Sequence, residues 1–189
     1  DVALILALDK SENIIGYIGL LPGKINNNTT QCANNSSGAG ICCYSRYSTC
    51  KILIFDSEIN QNINAGSTTN SSGGGIFSSS NIESYIDIKR SQVKGNLSPV
   101  SGGGIANFGG KSTINIVESN VSNNSSNNSG GGIFSQSSNS LIKIINSSIN
   151  SNSLTSGSGR GAGLFCKASS FSSPSNVVIS NSTFRITLL

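Results

Sequence analysis

The chain has 189 residues, 35% apolar and 11% charged, with 22 Gly, 5 Cys and no His, Trp or Met, and its 39 Ser and 25 Asn fill about a third of it. Lack of His excludes imidazole bases, Ser-His-Asp and Cys-His nucleophiles and every His-containing metal site, while the net charge of +4 is scattered singly and argues against a nucleic-acid partner. No apolar stretch reaches the roughly 18 residues of a membrane span, and 24 Ile set the chain apart from a disordered polar tract, so one folded domain over residues 1–189 is expected.

The first element is the apolar run Val2–Leu8, too short and too poor in basic residues for a signal peptide. A chain without Met is expected to be a processed product of secretion or a piece of a longer protein. The run enters an imperfect copy of a pattern that becomes clear further on: Leu6, Leu8, Ser11, Asn13, Gly16, read as an end layer slipping toward Ile14. A polar loop at 24–37 leads to the first of five glycine boxes, Gly38-Ala39-Gly40-Ile41, and then to Ile52, Ile54, Ser57, Ile59, Asn62. After a loop at 64–72 the box recurs as Gly73-Gly74-Gly75-Ile76 with Ile86, Ile88, Ser91, Val93, Asn96. It recurs again as Gly102-Gly103-Gly104-Ile105 with Ile114, Ile116, Ser119, Val121, Asn124. A loop at 122–129 precedes Gly130-Gly131-Gly132-Ile133 with Ile142, Ile144, Ser147, Ile149, Asn152. A last loop at 150–158 precedes Gly161-Ala162-Gly163-Leu164 with Val177, Ile179, Ser182, Phe184, Thr187, where the Asn is lost.

Alternation in short β-branched runs is a strand signal, and no sustained 3.6-residue period appears. Units of 28–35 residues are too short to close a core alone, so each must stack on the next. The expected fold is all-β: a coil of parallel strands, five to six rungs high and roughly 25 Å long at one strand spacing per rung. In it Ile, Val and Leu point inward, Ser and Asn satisfy the bends, with Asn also tolerating a left-handed backbone and bonding its stacked neighbours, and glycine permits close approach.

The box Gly-Gly-Gly-Ile alternating with apolar-x-x-Asn, at Ile59-x-x-Asn62, Val93-x-x-Asn96, Val121-x-x-Asn124 and Ile149-x-x-Asn152, resembles the repeats of chlamydial polymorphic outer-membrane proteins. It is also similar to the wider set of right-handed parallel β-helix proteins with the pectate-lyase-like fold. That family usually has Phe where this chain has mainly Ile or Val, with Phe184 the one match. The resemblance implies a right-handed parallel β-helix and a surface-exposed, adhesin-like module.

The Ser and Asn surplus outside the strands creates twelve Asn-x-Ser/Thr sequons: Asn27, Asn28, Asn34, Asn35, Asn70, Asn96, Asn120, Asn123, Asn124, Asn127, Asn146 and Asn181. They are read either as polar spacer or as a face coated with N-linked glycans in a secreted product, with no other cofactor expected. The position before the ladder Ser carries Lys10, Asp56, Arg90, Glu118, Asn146 and Asn181, an exposed ion column expected to favour the native register. Four of the five Cys cluster at Cys32, Cys42, Cys43 and Cys50. Two disulfides are expected there, with Cys32 joined to Cys42 or Cys50, while Cys166 serves as a small core filler in the position equivalent to Cys43 and Ser78.

Catalysis on such a fold needs convergent carboxylates. The best of the 8 acidic residues are Asp56 with Glu58 and Glu83 with Asp87, a poor basis for an enzyme. The 9 Thr align with no column, which argues against ice binding. The favoured expectation is an extracellular fibre or surface-coat subunit that assembles with its own copies end to end. Its contacts would be Val2, Leu4, Leu6, Leu8, Phe184, Ile186, Leu188 and Leu189. The alternatives are an adhesin-like module binding a glycan or host-surface ligand and, less favoured, a carbohydrate-active β-helix enzyme.

Overall fold

A computed structural model describes residues 16–20, 23–30, 38–66, 72–169 and 174–186. Among these residues every regular element is a strand and every pairing is parallel. Two sheets result. One has eight strands and contains Gly16–Leu20, Cys50–Phe55, Ile76–Lys89, Ile105–Val117, Ile133–Ile145 and Ser175–Ser180, with Ile41–Ser45 and Leu164–Ala168 pairing on the segments just after the boxes. The other has ten shorter strands, among them Lys24–Asn26, Glu58–Asn60, Gln92–Lys94, Asn120–Ser122, Ser148–Leu154 and Thr183–Ile186.

Pairing follows the sequence repeat. Ile52, Ile86, Ile114, Ile142 and Val177 are in register, as are Ile54, Ile88, Ile116, Ile144 and Ile179. Ile59, Val93, Val121, Ile149 and Phe184 form a third row, and Ile41, Ile76, Ile105, Ile133 and Leu164 a fourth. Alternate residues face one side, so a strand such as Cys50–Phe55 buries every second side chain. In the middle layers the Ile residues of these rows are wholly inaccessible, like stacked on like. β-Branched side chains hold one χ1 rotamer, so identical residues one layer apart pack as a repeated contact.

The first layer is not where the sequence pattern put it. Gly16–Leu20 pairs with Cys50–Phe55, aligning Ile18 with Ile52 and Leu20 with Ile54, and Lys24–Asn26 aligns Ile25 with Ile59. The copy is therefore Ile18, Leu20, Gly23, Ile25, Asn28, with Gly23 in the ladder-Ser position, where its carbonyl accepts from the Glu58 amide. Anchoring the pattern on Ser concealed it. The expected copy at Leu6, Leu8, Ser11 and Asn13, with Lys10, lies outside the described residues.

The first glycine of each box has a left-handed backbone: Gly38, Gly73, Gly102, Gly130 and Gly161 have φ between +60° and +75°. The third glycine of a box makes room for an Asn side chain: a Cβ on Gly104 would sit 3.0 Å from Asn124 Nδ2 and 2.7 Å from the Gly132 carbonyl. Box and Asn are thus two halves of one contact.

Candidate functional site

Two polar ladders run through the layers. Asn62, Asn96, Asn124 and Asn152 are buried, and each Asn in turn sends its amide N–H and its Nδ2 to the Oδ1 of the next, at 2.9–3.0 Å. A second proton of Nδ2 goes to a carbonyl of the preceding layer, as from Asn96 to Ile59 and from Asn124 to Val93, both 2.9 Å. Asn28 extends the ladder onto Asn62. Both polar ends of each interior amide are satisfied, the condition for burying such a group without loss. The left-handed residue is not the Asn, as expected, but the one before it: Asn27, Gln61, Gly95, Asn123 and Ser151. Because that residue turns the corner, the Asn side chain can point inward.

The Ser ladder uses the same device. The amides of Ser57, Ser91, Ser119 and Ser147 donate to Oγ of Ser91, Ser119, Ser147 and Ser182 at 3.0–3.1 Å. Each Oγ donates in turn to the carbonyl two residues back, for example Ser119 to Val117 at 2.7 Å. The residues just before these serines, Asp56, Arg90, Glu118, Asn146 and Asn181, all have φ near +50°. This column was legible as a row of charges but not as a left-handed row; Asn suits such a backbone better than Arg or Glu.

Of the expected ion column one pair forms among the described residues. Arg90 grips Asp56 with two hydrogen bonds of 2.7 Å, both side chains being well exposed. Beside it an open depression of about 650 Å³ is lined by Arg90, Gln92, Glu118, Asn120, Asn146, Asn181 and their neighbours. The Arg90 hydrogen bonds hold the Asp56 carboxyl below its ordinary value of 3.8. A depressed carboxylate stabilises the fold above its unfolded pKa, and that contribution fades as pH falls through the lower folded value. Arg90→Ala is expected to raise the Asp56 midpoint toward 3.8 in an NMR carboxyl titration; an unmoved midpoint would contradict the pairing. The pair is exposed and screened by solvent, so little change in melting accompanies it.

The sequons divide. Asn96 and Asn124 are interior ladder members whose Nδ2 protons are both engaged, so they leave the set of glycosylation candidates. A sugar on Nδ2 would remove a donor and has no space. Asn28 is exposed but bonded at the ladder's end, and Asn120 is partly buried, accepting from Ser148 Oγ at 2.9 Å. Asn27, Asn123, Asn127, Asn146 and Asn181 are exposed. Asn34, Asn35 and Asn70 lie outside the described residues.

One disulfide is present, Cys43–Cys50, so Cys50 does not pair with Cys32 as expected; Cys42 and Cys166 are free thiols, and Cys32 lies outside the described residues. Register explains the bond. Cys43, Ser78, Asn107, Ser135 and Cys166 share one column, and Cys50, Ser84, Ser112, Ser140 and Ser175 share another. The same corner is closed by a hydrogen bond in later layers, Ser78 to Ser84 at 2.5 Å and Ser135 to Ser140 at 3.1 Å. The disulfide is the covalent form of a contact the repeat already makes. Cys43→Ser with Cys50→Ser is therefore expected to cost only about 1–2 kcal/mol, less than the usual 2–4, because a hydroxyl pair replaces the bond. Urea denaturation of the double variant measures it. Cys166 is partly buried against the core, in the column expected for it.

A column of Phe went unnoticed in the sequence, although Ile76-Phe77, Ile133-Phe134 and Leu164-Phe165 repeat the signal directly after the boxes. The fourth layer has Ala106 there, and Phe108 from the next outward position fills the row, giving ring centroids 5.7, 5.1 and 6.0 Å apart from Phe77 to Phe165. Phe77 and Phe134 are almost wholly covered, so this row is packing beneath the adjoining loops.

The carboxylates considered for catalysis are each met by a cation: Asp56 by Arg90, Glu58 by Lys24 at 3.3 Å, Glu83 by Lys111 at 3.3 Å and Asp87 by Lys89 at 3.1 Å. Among the described residues no three His, Cys, Asp or Glu gather where a metal ion could bind, and no helix is long and apolar enough to cross a membrane. Of the expected assembly residues, Phe184 and Ile186 lie on the last strand, while Val2, Leu4, Leu6, Leu8, Leu188 and Leu189 fall outside the described residues. Compared with known proteins, the chain matches no family model, no curated protein and no solved structure.

Proposed function

We propose that the chain is a right-handed parallel β-helix, its six layers being successive rungs, and that it is a non-enzymatic extracellular structural protein. Its copies stack end to end in a fibre or surface coat. One observation carries this reading. In the last layer Val177, Ile179 and Phe184 are 41%, 48% and 37% exposed, whereas their partners one layer earlier, Ile142, Ile144 and Ile149, are at 0%. Core-type residues are thus presented on the outer edge of Ser175–Ser180 and Thr183–Ile186, a template for one more parallel layer. Among the described residues the complementary edge belongs to Gly16–Leu20 and Lys24–Asn26, which continue the same columns in register. A second copy supplies that edge, and such a heterologous contact propagates without closing.

Extracellular placement is supported by the disulfide, and N-linked glycans on exposed sequons would coat the sides and leave the ends free. The pairing of each candidate carboxylate with a cation supports a role without catalysis. Sedimentation and negative-stain microscopy of the 189-residue chain test the reading. Particles that lengthen with concentration are expected, and Ile179→Lys with Phe184→Asp should leave monomers of unchanged circular dichroism. Dispersed monomers of the unaltered chain at high concentration would assign the edge to some other neighbour and overturn end-to-end assembly.

A further inference from the structure

Away from the edge of Ser175–Ser180 and Thr183–Ile186, a group of large side chains is exposed at the corner that the disulfide closes. Tyr47 is 76% exposed, Tyr44 51%, and Ile82, in the corresponding corner of the next layer, 54%. In the third to fifth layers the strand runs unbroken past this corner, as Ile76–Lys89, Ile105–Val117 and Ile133–Ile145. In the layer with the disulfide it is split into Ile41–Ser45 and Cys50–Phe55, and residues 46–49 connect them outside the sheet ladder.

The connecting segment is held firmly. Cys43–Cys50 closes it, Ser45 Oγ accepts from the Ser48 amide at 3.0 Å, and Ser80 Oγ donates to the Ser48 carbonyl at 2.7 Å. Arg46 Nε donates to Tyr44 Oη at 3.2 Å, setting a guanidinium against a phenol. Residues 41–55 contain Arg46 and Lys51 and no carboxylate, and Arg46 makes no ion pair among the described residues. Two Tyr and one Arg on a rigid loop are the residue types that dominate binding energy at protein interfaces, since they bring large contact area at low ordering cost. Tyr44, Arg46 and Tyr47 are all exposed on this loop. An exposed guanidinium beside two exposed phenols, with no ion pair of its own among the described residues, is complementary to a protein surface that sets carboxylates among apolar side chains.

We propose that the loop Cys43–Cys50 is a recognition knob for a protein partner that presents carboxylates around an apolar recess. Tyr44 and Tyr47 are its anchors, Arg46 its charge contact, and the disulfide keeps the knob in its bound shape.

Cyclic-peptide phage libraries selected on the immobilised chain supply the probe, with counter-selection on a Tyr44→Ser, Arg46→Ser, Tyr47→Ser variant. Acidic peptides carrying apolar side chains should enrich. Their affinity should fall about tenfold or more for Tyr47→Ser and for Arg46→Glu, as expected of hot-spot residues. It should also fall for Cys43→Ser with Cys50→Ser, while Asn127→Ala has no effect. Circular dichroism and melting of each variant separate lost recognition from lost folding. Failure to enrich any peptide that depends on the loop would overturn the proposal, as would enriched peptides without acidic residues. Loop-dependent binding to heparin or sialylated glycans in place of peptides would reassign the knob to saccharide and overturn the protein partner.

Discussion

Asn124→Ala is expected to lower stability by about 3–5 kcal/mol, a third or more of what a typical domain possesses. The side chain is wholly buried, and its loss strips partners from groups that cannot reach water. Asn96 loses the acceptor of both its amide N–H and its Nδ2, the Val93 carbonyl loses its donor, and Asn152 Oδ1 loses one of two. Each orphaned buried group costs about 1–3 kcal/mol, and relaxation into the space beside Gly104 recovers part of the sum. Asn124→Asp should do no better at neutral pH, because it keeps the acceptors but loses both Nδ2 donors and buries a carboxylate. Burial raises the folded pKa of such an Asp, so the variant should regain stability as pH falls, opposite to the behaviour of Asp56. Thermal melting decides the matter: a drop of about 10 °C or more is expected for Asn124→Ala, against almost none for the exposed Asn127→Ala. Equal melting of the two would mean that the ladder does not hold the interior.

Gly102→Ala is the second large effect, with an expected loss of at least about 3 kcal/mol from a left-handed alanine plus a clash that has no outlet. The backbone at Gly102 has φ +64°, and an added Cβ would meet the Ile105 carbonyl and lie 2.6 Å from Ala106 Cβ, both within its own turn. No sliding of one layer past another relieves such a contact. The middle position of the box behaves differently. A Cβ on Gly74 would lie 2.5 Å from the carbonyls of Gly103 and Leu97, yet Ala39 occupies that place in the first box. There the layers part slightly: the bonds from Ala39 and Gly40 to the next layer are 3.3 Å, where those from Gly74 and Gly75 are 3.1 Å. The first glycine is invariant in all five boxes and the second is not, as this difference requires. Gly157→Ala, with nothing within 4 Å of the new Cβ, is the control and should be neutral within about 0.5 kcal/mol. Chemical denaturation of both variants measures the contrast, and similar midpoints would show that the box is spacer only.

These results would also show why the repeat was legible from the residues. The rows Ile52 to Val177 and Ile54 to Ile179 appear in the sequence because period-2 burial and layer-to-layer register act on every unit alike. The first layer escaped because Gly23 replaces the Ser that served as its marker, and only strand pairing could identify Ile18, Leu20 and Ile25 as its members. The left-handed column at Asp56, Arg90, Glu118, Asn146 and Asn181 was visible as charge but not as conformation, since Arg and Glu are unusual there.

By itself, the amino-acid sequence determined that the chain is all-β, that its units stack in parallel, and which side chains form the apolar, Ser and Asn rows from Ile52 onward. Those features are periodic, and a periodic pattern records its own spatial neighbours. Tertiary structure decided what depends on a single contact: which Cys joins which, that Asn96 and Asn124 are interior supports, and that Tyr44 and Tyr47 are exposed. Each of these turns on where one corner places one side chain, and no period carries that information.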